Sequence, residues 1–390
     1  MNQRKTWIAL AVGCACSASA QAAGSVQLYG TIDLGVTHFS GIGSGAATVS
    51  STGLSSGAQS PSVIGIKGYE MLAPKLATVF HIETGFCAAG TSQDLKTSGG
   101  APLSGGYCAG GGFMQSDTWV GLKGRLGMIA GGRSYAAMYR NEKAMDPFGA
   151  GTTGSVENLS LINQYQLARA NQVLAYVTPT IDGFSGSVSY SFAPGAGGTV
   201  PQATPANATR VSRSQGIQVR YTGPRLVAGA AYAQVTNVRV PAFLNPQSGV
   251  NDGSLKGWQV YGAYDFGVAR LSASYVQSAA DYNSGHASSM LLGLKIPVGR
   301  SALLLSFNEA RTDYGMRNVN LIGVPLYGTA RQYAIGWTYA LSRRTNLYAS
   351  YARVGNDAHT AFAVGSATDF FVGAPGQGSS GAAIGLRHEF

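Results

Sequence analysis

Hydrophobic and polar positions alternate along most of this chain. In SVQLYGTIDLGVTHF, residues 25–39, Val26, Leu28, Gly30, Ile32, Leu34 and Val36 share one parity, and Gln27, Tyr29, Thr31 and Asp33 take the other. Period two with one apolar face is the signature of a strand that buries a single side. The same rhythm recurs in 75–86. There Leu76, Thr78, Phe80, Ile82 and Phe86 share one face, while Lys75, His81 and Glu83 share the other. Read this way, the sequence predicts sixteen strands: 25–39, 61–70, 75–86, 115–124, 126–133, 169–178, 182–192, 211–221, 225–235, 256–265, 268–277, 288–296, 300–312, 329–339, 343–353 and 380–390.

Seven short connections alternate strictly with eight long ones, the first long one being a Gly/Ser-rich stretch over 40–60. An even strand number with short turns on one side and long loops on the other describes an outer-membrane barrel. The barrel has to close, because lipid offers no partner to an unpaired strand edge. The expected fold is therefore all-β: a 16-stranded antiparallel transmembrane β-barrel, apolar toward lipid and polar toward water. Tyr221, Tyr232, Tyr261, Tyr264, Tyr275, Tyr333, Tyr339, Tyr348 and Tyr351 fall near strand ends, where interfacial girdles take amphipathic rings.

Between Ser134 and Ala168 the alternation stops for 35 residues. Arg140, Glu142, Lys143, Asp146 and Glu157 gather in this third long loop. So long a gap in a regular β pattern marks a functional loop. The expectation is that it folds into the barrel and narrows a water-filled pore.

Composition fits an exported membrane protein. Only 11% of the 390 residues are charged, against 55 glycines and 20 tyrosines. Residues 1–22 read as a secretory signal: Arg4 and Lys5, an apolar core from Trp7 to Cys16, and Ala20-Gln21-Ala22 as the cleavage site. The barrel domain is then 23–390. AVGC, ending at Cys14, is a poor lipoprotein site, since Ala11 stands where leucine is usual. Without Arg4 and Lys5, 25 basic residues face 17 acidic ones, a net +8. That balance suits an anionic solute; the export signal and the scattered basic residues argue against nucleic acid. Of the four cysteines, Cys87 and Cys108 remain after the signal. An oxidising compartment predicts one disulfide between them, with two free thiols as the alternative.

Catalytic motifs are chance matches. Gly53-Leu54-Ser55-Ser56-Gly57 has the spacing of a nucleophile elbow but lies in a Gly/Ser loop. Gly376-Gln377-Gly378-Ser379-Ser380-Gly381 has a nucleotide-loop spacing but precedes a strand. No paired histidines point to zinc, and no cofactor is expected.

Several segments in order resemble the general, Gram-negative-type porins of β-proteobacteria: LYGTIDLGV in the first strand, SVIGIKGYEMLAPKLATVFHIETGF at 62–86, and WVGLKGRLGMIAGGR at 119–133. Asp146-Pro147-Phe148-Gly149, LSRRTNLY at 341–348 and the terminal GLRHEF continue the match. The resemblance implies a homotrimer of 16-stranded diffusion pores in the outer membrane, in contact with lipid and lipopolysaccharide. It also implies an acidic third loop facing a basic wall. Its terminal phenylalanine is read by the barrel-assembly machinery, here Phe390 with His388 and Leu386. The pattern departs where the family carries arginine, at Val63 and near Ser116.

The constriction residues expected on this basis are Arg133, Lys67, Lys75 and Arg169 on the basic side, and Asp146, Glu142 and Glu157 on the loop. Glu83 and His81 are possible inward groups, and Pro147, Phe148 and Gly149 form the loop tip. The expected function is passive diffusion of ions and small hydrophilic solutes with weak anion preference. A barrel hydrolase and a plugged structural or adhesive barrel are the alternatives.

Overall fold

The structure is a computed structural model that describes residues 24–42, 49–89, 116–149, 151, 153–159, 169–192, 213–238, 253–280, 285–313, 327–365 and 375–390. Residues 1–22, read above as a secretory signal, and Cys108 lie outside the described residues. Cys87 is disulfide-bonded.

Strands dominate. In order they are β1 (Gly24–Ile42), β2 (Val49–Ser56), β3 (Val63–Ala73), β4 (Leu76–Gly85), β5 (Thr118–Gly124) and β6 (Gly127–Tyr135). After the long loop come β7 (Arg169–Val177), β8 (Phe184–Ser191), β9 (Arg213–Thr222), β10 (Leu226–Val238), β11 (Gly253–Asp265) and β12 (Arg270–Ala280). The last five are β13 (Gly285–Val298), β14 (Ser301–Thr312), β15 (Gly328–Ala340), β16 (Thr345–Asn356) and β17 (Ser379–Glu389).

Every strand pairs antiparallel with its neighbours, and β17 pairs back onto β1, so the sheet closes. β2 and β3 both pair with β1: β2 along its far half, Leu34 opposite Ser56, and β3 along its near half, Thr31 opposite Val63. They are two halves of one wall strand, and the ring therefore has sixteen strands. Closure at the termini is tight. Gly30 and Phe390 exchange backbone hydrogen bonds of 3.1 and 3.0 Å, and the Phe390 ring lies where a Gly30 side chain would stand.

The period-two reading gives the facing of each strand. Val26, Leu28, Ile32, Val36, Val120, Val260, Ile335 and Ile384 are exposed on the outer surface, the side that meets lipid. Inward positions are small or polar: Ser272 and Ser274 on β12, Ser289 on β13, Ser306 and Asn308 on β14, Gln332 on β15. No helix among the described residues is long and apolar enough to cross a membrane.

Two expectations need correction. The stretch 40–60 is not all loop, because Val49–Ser56 extends the second wall strand. Its sequence, VSSTGLSS, offers almost no apolar alternation to read. Tyr261 and Tyr348 are not girdle residues. Both belong to the inward parity and are buried, at 6% and 2% exposure. Tyr232, Tyr264, Tyr333 and Tyr351 do face outward.

A barrel has no core between its walls, so the buried apolar residues lie where loops meet the inner face. Met138, Tyr139, Phe148 and Leu159 of the long loop pack with Leu255, Val276 and Leu304 of the wall. Ala361–Val364, from the connection after β16, also turn inward, and the Gly365 N–H donates to Asn158 of the long loop (3.0 Å).

Candidate functional site

The loop between β6 and β7 opens with a nine-residue helix, α1 (Ala137–Met145). Its facing follows helical spacing. Met138, Tyr139, Asn141, Glu142 and Met145 are buried, whereas Arg140, Lys143 and Ala144 are exposed. Side chains three and four apart share a helix face. The buried stripe thus takes Glu142 with it, and the stripe turned away from the wall carries two cations.

Polar wall residues hold this helix down. The Asn141 amide donates to Gln218 (2.8 Å) and Gln259 (3.1 Å), and Gln259 donates to the Met138 carbonyl (3.2 Å). Ser272 donates to the Met145 carbonyl (2.5 Å). Further along, Gln332 donates to the carbonyls of Gly154 (3.1 Å) and Ser155 (3.0 Å) and accepts from Asn158 (2.8 Å).

The tip docks by shape. Pro147 sits over Gly293 of β13 and Phe148 over Gly336 of β15; a Cβ at either glycine would lie about 2.5–2.6 Å from the ring atoms. Asp146 organises the turn from inside. Its two carboxylate oxygens accept the backbone N–H groups of Phe148 (2.9 Å) and Val156 (2.7 Å). Burial pushes this carboxyl up to about 8; Glu157 and Glu142 repel it further, while the two N–H donors oppose the rise.

All three loop acids are therefore withdrawn from the channel. Glu142 is 2% exposed, Asp146 7% and Glu157 8%, and Glu157 accepts the Tyr139 hydroxyl (2.6 Å).

Facing the helix, β1, β3, β4 and β5 carry a connected polar strip. Lys67 lies over the Tyr29 ring, 5.0 Å from its centroid. The Tyr29 hydroxyl donates to Glu83 (2.8 Å) and contacts His81. His81 stands 3.5 Å from Asp117, and Asp117 takes the Arg140 guanidinium at 2.8 Å. From there Arg169 lies over Tyr135 (4.6 Å) and donates to its hydroxyl (3.0 Å), and Tyr135 stacks on Tyr139 (5.1 Å). One chain of contacts thus runs from wall to loop.

The structure brings Lys67, His81, Glu83 and Arg169 into this strip. It places Arg133 beside it, with its guanidinium on Asn171 and under repulsion from Arg169. It does not bring Lys75 in: that residue occupies the β3–β4 turn with φ 72°. Leu386 and His388 lie on the last strand and Phe390 directly follows it; His388 meets the Thr345 hydroxyl at 2.9 Å.

Sequence reading missed a second intrusion. Between β2 and β3, residues Gly57–Ser62 leave the ladder and form a shelf. Asp33 of β1, fully buried, accepts the N–H groups of Gln59 (2.9 Å) and Ser60 (2.6 Å) and the Tyr348 hydroxyl (2.7 Å). Arg387 donates to the Ser60 hydroxyl (2.6 Å). The shelf touches the loop: a Cβ on Gly151 would stand 2.5 Å from the carbonyl oxygens of Ala58 and Gln59. Loop tip, shelf and β14–β17 line a half-open cavity of about 210 Å³. The inward parity of Asp33 was a legible signal; its clamp on the neighbouring strand was not.

A closed barrel with an apolar outside, a polar inside and a folded-in loop at its waist is built for passive diffusion across an outer membrane. A family model for Gram-negative porins matches residues 8–359, and the chain belongs to that family. Outer membrane porin protein 32 of Delftia acidovorans is 27% identical, over 99% of this chain and 100% of the relative. An outer membrane porin of Bordetella pertussis is 26% identical, over 90% and 94%. Among solved structures, the anion-selective porin from Comamonas acidovorans superposes with a TM-score of 0.72 at 24% identity, covering 94% of this chain and all of that one. The protein is an outer-membrane diffusion channel.

Proposed function

We propose that this channel prefers anions, and that its loop supplies the preference. The observation that carries the reading is the sorting of charge on the loop: Glu142, Asp146 and Glu157 are buried, while Arg140 and Lys143 are exposed. Arg270 of β12 adds a guanidinium that reaches the Ala144 carbonyl (3.5 Å). On the inner face opposite, Lys67 and Lys123 are exposed, whereas Glu83 is held by Tyr29 and Asp117 by Arg140. Water-facing charge at a narrow, low-dielectric waist sets local ion concentration; Asp117 offsets Arg140 and Glu83 offsets one lysine, so the net cationic charge left on Lys143, Lys67, Lys123 and Arg270 favours anions.

Arg169 adds to this field within the strip, and Arg133 from beside it. Asp146, Pro147, Phe148 and Gly149 act by holding the loop against the wall, not by presenting charge. Residues 1–22 direct export and are removed. The barrels assemble as homotrimers, are inserted by the barrel-assembly machinery through the Phe390 strand, and sit among lipopolysaccharide. The channel carries small hydrophilic solutes without chemistry on them.

The test is the reversal potential of the reconstituted protein across a planar bilayer in a potassium chloride gradient. The expected sign is chloride-preferring. A potassium-preferring sign refutes the reading.

A further inference from the structure

Between the start of α1 and the inner faces of β5–β10 lies a partly open cavity of about 300 Å³. That size is at the lower end of the range ligand pockets occupy, about 300–1,000 Å³. Its lining is chemically uneven. Arg140, Arg169 and Arg220 contribute three guanidiniums, and no carboxylate lines it among the described residues. Trp119 and Tyr135 contribute aromatic rings. Much of the remaining lining is small, with alanines, glycines and a ladder of serines from β8, beside Met128, Met138, Asn141 and Gln218.

Each part has a reason to be there. Trp119 sits opposite His81 in the β4–β5 ladder, on the inward parity, and its ring tilts against the imidazole at 5.8 Å. Small side chains at Gly132 and Ala130 of β6 leave the space beside Trp119 open. Arg169 and Arg140 both approach the Tyr135 ring, at 4.6 and 5.8 Å, which brings their guanidiniums to one end of the cavity. Asp117 already engages Arg140, so Arg220 is the guanidinium with charge to spare. The Nε of Arg220 is buried and has no hydrogen-bond partner among the described residues. A buried, unsatisfied guanidinium N–H is costly unless an acceptor completes it.

We propose that this cavity is a subsite for small aromatic carboxylates on their way through the channel. The carboxylate takes the planar N–H fork that guanidinium offers. The flat ring lies against Trp119, where stacking adds to burial. Serine hydroxyls let a solute slide without tying it down by charge. The subsite rests on the anion-preferring reading for delivery of its ligand, and its test is separable from that reading.

The experiment is ion-current block in single-channel recordings, with benzoate, cyclohexanecarboxylate or inorganic phosphate added to one side. Benzoate is expected to block at concentrations roughly tenfold below cyclohexanecarboxylate, a ring of similar size and equal charge that cannot stack. Trp119→Leu should bring the two acids within about twofold of each other. Arg220→Gln should weaken block by both acids about tenfold, and it decides the matter alone if Trp119→Leu does not fold. Equal block by the two acids, block by phosphate at the benzoate concentration, or a benzoate preference untouched by Trp119→Leu would overturn the subsite. So would unchanged block in Arg220→Gln. A chloride-preferring channel that neither acid blocks removes the subsite and leaves the selectivity reading. A potassium-preferring channel with Trp119-dependent benzoate block does the reverse.

Discussion

Two segments intrude into this barrel, and each is held by one buried aspartate. The shelf Gly57–Ser62 hangs on Asp33, and the tip of the long loop hangs on Asp146. The device is shared: a carboxylate inside the protein accepts two backbone N–H groups from a chain that has left its ladder. The surroundings differ. Asp33 also accepts the Tyr348 hydroxyl, and its field includes Arg387. Asp146 has Glu142 and Glu157 as charged neighbours, and burial pushes it up to about 8. The shelf is therefore pinned by a carboxyl with a hydroxyl donor and a guanidinium in its field. The loop tip is pinned by a carboxyl whose charged neighbours are acids. The sign of the neighbouring charge separates the two.

The largest effect should come from Asp33→Leu. An apolar side chain of similar size leaves the N–H groups of Gln59 and Ser60 and the Tyr348 hydroxyl without their acceptor, and a buried donor left without an acceptor costs about 1–3 kcal/mol each. The denaturant midpoint in detergent should fall, and single-channel conductance should rise as the shelf loosens. A midpoint equal to wild type would show that Asp33 is not the shelf's anchor.

Next in size is a pH effect on the loop. Asp146 binds its proton more tightly in the docked loop than in an undocked one, where a carboxyl titrates near about 4. Between that value and about 8, undocking releases a proton, so docking weakens as pH rises through the window and is flat above it. Current noise should grow from pH 6 to pH 8. In Asp146→Asn, which resembles the protonated form, noise should be independent of pH and the reversal potential should stay at the wild-type value. Noise that falls with rising pH would reverse the sign of the argument.

Gly151→Ala should have the smallest effect. Its Cβ would stand 2.5 Å from two shelf carbonyls, so loop and shelf must part slightly. Overpacking of this kind costs about 1 kcal/mol. A modest conductance increase is expected, and an unchanged conductance would mean that the two intrusions do not jointly set the width.

Much of the fold was legible because strand facing has a period of two. Val26, Leu28 and Ile32 announce lipid, and Tyr29 and Asp33 announce the interior, with no need of tertiary information. The split second strand was not legible, because VSSTGLSS carries no apolar face and the wall strand it begins breaks off before β3 resumes along β1. Tyr348 and Tyr261 share their composition with girdle residues, and only register separates them.

The loop acids show a different limit. In a segment read as a charged insertion, Glu142, Asp146 and Glu157 look like groups facing water. A period of 3.6 over AMYRNEKAM would have grouped Glu142 with Met138 and Met145 on the wall side, and Arg140 with Lys143 on the other. The same helical signal finds the exposed cations. For Asp146 and Glu157 no local pattern exists, since their partners, the Val156 N–H and the Tyr139 hydroxyl, lie 10 and 18 residues away.

The central claim is that exposed loop cations, and not buried loop acids, set selectivity. Its most direct test compares two double variants by reversal potential in the same salt gradient. Arg140→Gln/Lys143→Gln should move the potential clearly toward potassium, while Glu142→Gln/Glu157→Gln should leave it near wild type. The opposite pattern, with the acid pair shifting the potential and the basic pair leaving it in place, would contradict the account.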